Sequence, residues 1–127
     1  MDEEVVARKV IGAAIEVHGH LGPGLLESSY SAALARELEL RRLPAEREFR
    51  LVAEYKGLAL DDAYRLDFLV AGRLIVELKC VDHVNAVHRA QLLTDLRWTG
   101  FRLGLLLNFN VALMRDGISR VINRKYL

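Results

Sequence analysis

The sequence predicts an α/β fold, a mixed central β-sheet flanked by α-helices, and three observations carry that prediction. The first third places apolar residues at helical spacing, the middle third alternates apolar and polar residues as strands do, and a later helical stretch precedes a strongly apolar strand. Two helices, a meander, then a helix leading into a buried strand put helices against the faces of one sheet. At 127 residues, 52% of them hydrophobic, the chain suffices for one ordinary core and is short for two, so residues 1–127 are read as a single domain.

From Glu3 to Val17, the residues Val6, Val10, Ala14 and Val17 recur at intervals of three and four, as one face of a helix requires. His18-Gly19-His20-Leu21-Gly22-Pro23-Gly24 packs three glycines and a proline together and is expected to break that helix. A second helix is expected from about Leu25 to Arg41, with Glu27, Tyr30, Leu34 and Leu38 on one stripe, so that a carboxylate stands in line with apolar residues. After Pro44 the pattern becomes strand-like over Glu48–Tyr55, Leu58–Leu60, Tyr64–Val70 and Arg73–Val81, with a Lys56-Gly57 turn. Asp82–Trp98 reads as a third helix with Gly100 near its end, Arg102–Phe109 as a strand, and Ala112–Ile122 as a hairpin turning at Asp116-Gly117.

Lys and Arg number 18 against 17 Asp and Glu, and the net charge of +1 gives no global attraction to nucleic acid. Binding to DNA would need a local patch. Arg89, Arg97, Arg102, Arg120, Arg124 and Lys125 make the C-terminal half the more basic, although a mixed solvated surface accounts for such scatter equally. The acidic start Met1-Asp2-Glu3-Glu4 is unlike a secretory signal, and no apolar run approaches the ~20 residues that span a bilayer, so a cytoplasmic protein without a membrane partner is expected. The single cysteine, Cys80, agrees with a reducing compartment and reads as a small apolar residue. The apolar C-terminal strand and hairpin are compatible with a homodimer, and equally with a buried core.

The chemistry concentrates around Ala71-Gly72-Arg73. A hairpin centred on Gly72 sets residue 72−n opposite 72+n, which brings Asp67 against Glu77 and Arg65 against Lys79. In that register Leu66, Phe68, Val70, Leu74, Val76 and Leu78 form one apolar face. Facing carboxylates repel unless a cation lies between them or one takes up a proton. A divalent cation such as Mg²⁺ or Mn²⁺ suits oxygen ligands of this kind and commonly binds a substrate phosphate as well, with Lys79 placed to stabilise developing charge. The competing reading is an exposed ladder of salt bridges among Arg65, Asp67, Glu77 and Lys79. On the third helix His88, Gln91 and Asp95 share a stripe with Val84 and Leu92; Gln91 is the better candidate to orient substrate, and His88 reads more readily as a hydrogen-bonded structural residue. Glu27 has a plain alternative in the helix dipole, which favours an acid in the first turn.

These residues resemble the GxxExxY proteins, a branch of the PD-(D/E)XK nuclease superfamily. Gly24-Leu25-Leu26-Glu27-Ser28-Ser29-Tyr30 fits the motif that names them, and Tyr64-Arg65-Leu66-Asp67, Ile75-Val76-Glu77-Leu78-Lys79, His88-Arg89-Ala90-Gln91 and Gly104–Asn110 extend the likeness along nearly the whole chain. The resemblance implies a restriction-endonuclease-like core, metal ligation by Glu27, Asp67 and Glu77, and catalytic roles for these three with Lys79 and Gln91. One departure is plain: related nucleases carry Gln-xxx-Tyr, and here the position four after Gln91 is Asp95. The implied function is a Mg²⁺- or Mn²⁺-dependent deoxyribonuclease, in its expected form an exonuclease on single-stranded DNA or DNA ends. The alternatives are a nucleic-acid-binding or assembly module with little turnover, and a hydrolase of smaller phosphodiesters.

Overall fold

Asp2 begins the first element: its carboxylate accepts from the Val5 amide at 2.9 Å and caps helix α1 (Glu3–Leu21). In this computed structural model, which describes residues 1–127 with the side chain of Asp62 excepted, the elements run in order. After α1 come α2 (Glu27–Leu40), β1 (Ala45–Tyr55), β2 (Leu58–Val70), β3 (Leu74–Lys79), α3 (Ala86–Thr99), β4 (Leu103–Asn108) and β5 (Ile118–Ile122). Short 3-10 turns at Met114–Gly117 and Arg124–Tyr126 flank the last strand.

The strands form one mixed sheet in the order β1-β2-β3-β4-β5, antiparallel throughout except for the parallel pair β3 and β4. Parallel neighbours need a crossover, and α3 is that crossover. The sheet has two cores. Val6, Val10, Ala14, Tyr30, Leu34 and Leu38 of α1 and α2 pack on Phe68, Val70, Leu74, Val76, Leu78 and Phe109. On the opposite face Leu92 and Leu96 of α3 pack on Leu66, Ile75 and Leu106. Gly104 permits this second contact, because a Cβ there would stand 2.8 Å from the Leu92 Cδ1. Among the described residues no helix is long and apolar enough to cross a membrane.

The predicted α/β class with its mixed sheet holds, and several boundaries move for identifiable reasons. Helix α1 continues through Gly19 and ends at Gly22, whose φ of 68° takes the chain out of the helix. One internal glycine costs a helix only about 1 kcal/mol, and His18, buried, anchors that last turn through Nε2 at 2.8 Å from the Val111 carbonyl. The strand expected in two pieces, 58–60 and 64–70, is continuous as β2. Helix α3 starts at Ala86 and not Asp82, because Asn85 and His88 close a capping box there. No hairpin forms within 112–122: Asp116 and Gly117 lie in a 3-10 turn, and the single strand β5 pairs with β4 from Leu107↔Ile118 to Leu103↔Ile122. Gly117 is pressed against the Asn108 carbonyl, where a Cβ would come within 2.0 Å, so the segment is packed flat and cannot project as a hairpin tip. Every residue of β4 is buried between β3 and β5, and its apolar character is used by the fold itself.

Candidate functional site

The Gly72-centred register is realised in the pairs Val70↔Leu74, Leu69↔Ile75 and Phe68↔Val76, and there the ladder stops. The next residue, Asp67, turns its carboxylate to the sheet: Oδ2 accepts from the Leu78 amide at 2.7 Å, in place of a strand carbonyl. The β1 side breaks at the same point, since its pairing with β2 runs from Arg47↔Phe68 to Phe49↔Leu66 around Glu48, whose φ is +51°. This break corrects one expectation. Leu66 does not share the apolar face of Phe68; it belongs to the core beneath α3, because the strand changes face at Asp67.

Along β3, Leu74, Val76 and Leu78 enter the first core, while Ile75, Glu77 and Lys79 line up beneath α3. Asp67 and Glu77 thus meet as carboxylates. Burial raises the Glu77 carboxyl to about 9, helped by the charge of Asp67, a hydrogen bond with it, and the charge of Asp95. Without a cation, a proton on Glu77 relieves the repulsion. Its Oε1 is buried and has no hydrogen-bond partner, an arrangement proteins seldom tolerate without a use. Among the described residues no ion pair within 4.0 Å joins Arg65, Asp67, Glu77 or Lys79, so the competing salt-bridge ladder is not formed.

Glu27 reaches the same place from α2. The bend between the two helices needs Gly22 and Gly24, at φ 68° and 98°, values that a side chain makes costly. Tyr30, fully buried, holds the bend closed: its hydroxyl donates to the Gly22 carbonyl and accepts from the Leu25 amide at 3.2 Å. Its ring stacks on Phe109 at 4.6 Å. Gly24 and Tyr30 therefore build the turn, and Glu27 is the residue the turn presents. Glu27 is exposed, yet its carboxyl is raised by partial burial and by the charge of Asp67, with Lys79 acting the other way.

Helix α3 roofs the site. Asn85 Oδ1 accepts from the Val87 and His88 amides at 3.0 and 3.1 Å, and His88 Nδ1 accepts from the Asn85 amide at 3.2 Å. That ring nitrogen is spent on the helix cap. Gln91, one turn on, is exposed and lines a cleft of about 190 Å³ with Tyr64, Arg65, Glu77, Lys79, His88 and Asp95. Asp95 is the residue that reading the sequence undervalued. It is 5% exposed, its Oδ1 is buried without a partner, and burial followed by the charge of Asp67 raises its carboxyl to about 6, against the pull of Lys79. The stripe shared with Gln91 and Leu92 carries the signal, an acid in line with an apolar residue.

Among the described residues no three His, Cys, Asp or Glu side chains form a ready-made metal cage. The pair Asp67 and Glu77 nevertheless fits a hard divalent cation, which takes one or two carboxylates and completes its shell with water and phosphate. The unpartnered Glu77 oxygen is the donor such an ion would use. A family model described as the PD-(D/E)XK nuclease superfamily matches residues 4–121, a span that includes Glu27, Asp67, Glu77, Lys79 and Gln91. Searches of curated proteins and of solved structures returned no match.

Proposed function

Because the chain belongs to the PD-(D/E)XK nuclease superfamily, we propose that it is a divalent-metal-dependent deoxyribonuclease that hydrolyses phosphodiester bonds, acting on single-stranded DNA or DNA ends. The observation that carries this reading is the broken ladder at Asp67, which sets its carboxylate beside Glu77, a buried acid with an unpartnered oxygen, two residues before Lys79. Asp67 and Glu77, with Glu27 as a third carboxylate, are the residues to hold Mg²⁺ or Mn²⁺, and the ion's contribution is Lewis-acid activation of water and phosphate. Lys79 neutralises the negative charge that grows on the phosphate as water adds and the P–O bond breaks. Gln91, at the rim, offers an amide to orient the substrate. The likeness to the GxxExxY branch supports Glu27 in its role, because the glycine and tyrosine of that motif form the bend that delivers it. The free Cys80 thiol supports a cytoplasmic setting.

One observation favours a second reading, a nucleic-acid-binding or assembly module with little turnover: Asp95 stands where related nucleases carry the tyrosine of Gln-xxx-Tyr. Labelled single-stranded DNA, duplex DNA, RNA and nucleotides, each incubated with Mg²⁺, Mn²⁺ or chelator, decide between them. Metal-dependent DNA cleavage is expected. DNA binding with no cleavage under any metal would leave the binding module, and cleavage of nucleotides alone would move the substrate to small phosphodiesters.

A further inference from the structure

Five of the six basic residues singled out in the C-terminal half fall into two sets. Arg102 and Arg120 are spent on Glu4, at 3.0 and 2.8 Å, and so neutralised. Arg97, Arg124 and Lys125 instead line one groove of about 510 Å³ with Leu93 and Asn123, and among the described residues none of these three cations has an acidic partner within 4.0 Å. The groove lies on the flank of α3 that faces β5, because Arg89, Leu93 and Arg97 recur every four residues there and Arg89 Nη2 donates to Ser119 Oγ at 3.3 Å. His88, Gln91 and Asp95 occupy the other flank, over the cleft.

Asn123 makes the groove rigid. It is buried, its amide nitrogen donates to the Leu96 and Phe101 carbonyls at 3.1 Å each, and its oxygen accepts from the Lys125 amide at 3.3 Å. One half-exposed aromatic ring, Tyr126, stands beside the groove cation Lys125. Lys125 Nζ stands 5.1 Å from the centre of the Tyr126 ring, and the Tyr126 hydroxyl donates to the Gly100 carbonyl at 3.1 Å. Three unpaired cations with an exposed ring beside one of them suit a single strand, which sets phosphates on the charges and can stack a base on the ring.

We propose that this groove is a second nucleic-acid site, which holds the phosphate backbone of a single strand on the far flank of α3 from the cleft. The choice of polyanion rests on the nuclease reading above. A strand engaged at both places passes around the N-terminal end of α3 beside Arg89 and then runs about 12 Å along the helix to Arg97. Together with the ~10 Å width of the helix, that path of roughly 22 Å spans several nucleotides, so the groove serves oligomers and is out of reach of a dinucleotide.

The test compares the triple variant Arg97→Gln, Arg124→Gln, Lys125→Gln with a control of equal charge change, Arg8→Gln, Lys9→Gln, Arg36→Gln, on the helices across the sheet. Binding of a fluorescein-labelled 20-mer oligothymidylate is followed by anisotropy in chelator over a salt series. The groove variant should bind at least tenfold more weakly at low salt, and its dependence of log K on log salt should flatten by about 2, from ~0.7 for each phosphate left without its cation. Turnover of a dinucleotide with Mn²⁺ should be unchanged. Equal losses in variant and control, or no loss in either, overturn the proposal, as does a groove that takes inorganic phosphate or anionic phosphatidylglycerol vesicles and not the oligomer. If the triple variant melts below the wild type, Arg124→Gln alone gives the same comparison with a slope change near 0.7. Groove-dependent binding with no cleavage of any substrate would sink the nuclease reading and leave this site standing.

Discussion

Replacing Glu77 by glutamine should stabilise the metal-free protein at neutral pH, although it removes a proposed metal ligand. The folded chain holds a proton on Glu77 up to about pH 9, whereas an ordinary glutamate releases it near 4.5. Below pH 4.5 folded and unfolded chains are alike at this position. Above it the unfolded chain has lost a proton that the folded chain keeps, so stability falls as the pH rises through that window. At about 1.36 kcal/mol for each pH unit, the penalty at pH 7 reaches roughly 3 kcal/mol, a ceiling because the cleft admits water. Glutamine carries no titrating proton, and its amide can donate to Asp67 in place of the lost hydroxyl. Urea denaturation in chelator at pH 5 and pH 7 should therefore show Glu77→Gln more stable than wild type at pH 7, by up to about 3 kcal/mol, with the gap closing to under about 1 kcal/mol at pH 5. Added Mn²⁺ should reverse the order, because it stabilises only the protein that binds it. Parallel pH dependences of the two proteins in chelator would refute the reasoning, as would a glutamine variant less stable at pH 7.

Four other substitutions probe the same site. Asp67→Asn should weaken Mn²⁺ binding in calorimetry by tenfold or more, and equal binding by both proteins would remove this pair as the metal site. Lys79→Ala should lose most turnover, about a hundredfold or more, with metal affinity similar or slightly higher; cleavage at the wild-type rate would leave Lys79 without a part in the chemistry. Glu27→Gln should lower activity, with partial recovery at high Mn²⁺. Full activity with a stability loss of about 0.3–1 kcal/mol would mark it as a helix-dipole partner only. Tyr30→Phe removes the hydroxyl that ties Gly22 to Leu25 and should cost about 1–2 kcal/mol in denaturation while weakening Mn²⁺ binding through the displaced Glu27; unchanged stability would show that the bend holds without it.

The sequence by itself determined what depends on local periodicity and on chemistry carried by neighbouring residues. The apolar stripe of α1, the buried run of β4, the Gly72 register and the Glu77-x-Lys79 spacing are all of this kind, since side-chain direction repeats every two residues in a strand and about every 3.6 in a helix. The register predicts Asp67 against Glu77 and the choice between a cation and a proton to relieve it, but the ladder itself ends one pair earlier, at Phe68 and Val76. Tertiary structure decided the rest, because it depends on which surfaces meet. The ladder breaks at Asp67 only where its carboxylate finds the Leu78 amide, and that break sends Leu66 to the other core. Asp95 is a buried acid and not a solvated one because Leu92 docks against Gly104 and draws α3 down over β3. Likewise Arg97, Arg124 and Lys125 form a groove because Asn123 fastens the chain end to the last turn of α3, while Arg102 and Arg120 are neutralised by a glutamate some hundred residues away in sequence. No window of sequence contains such partners, since their environment is set by residues brought together only when the sheet closes.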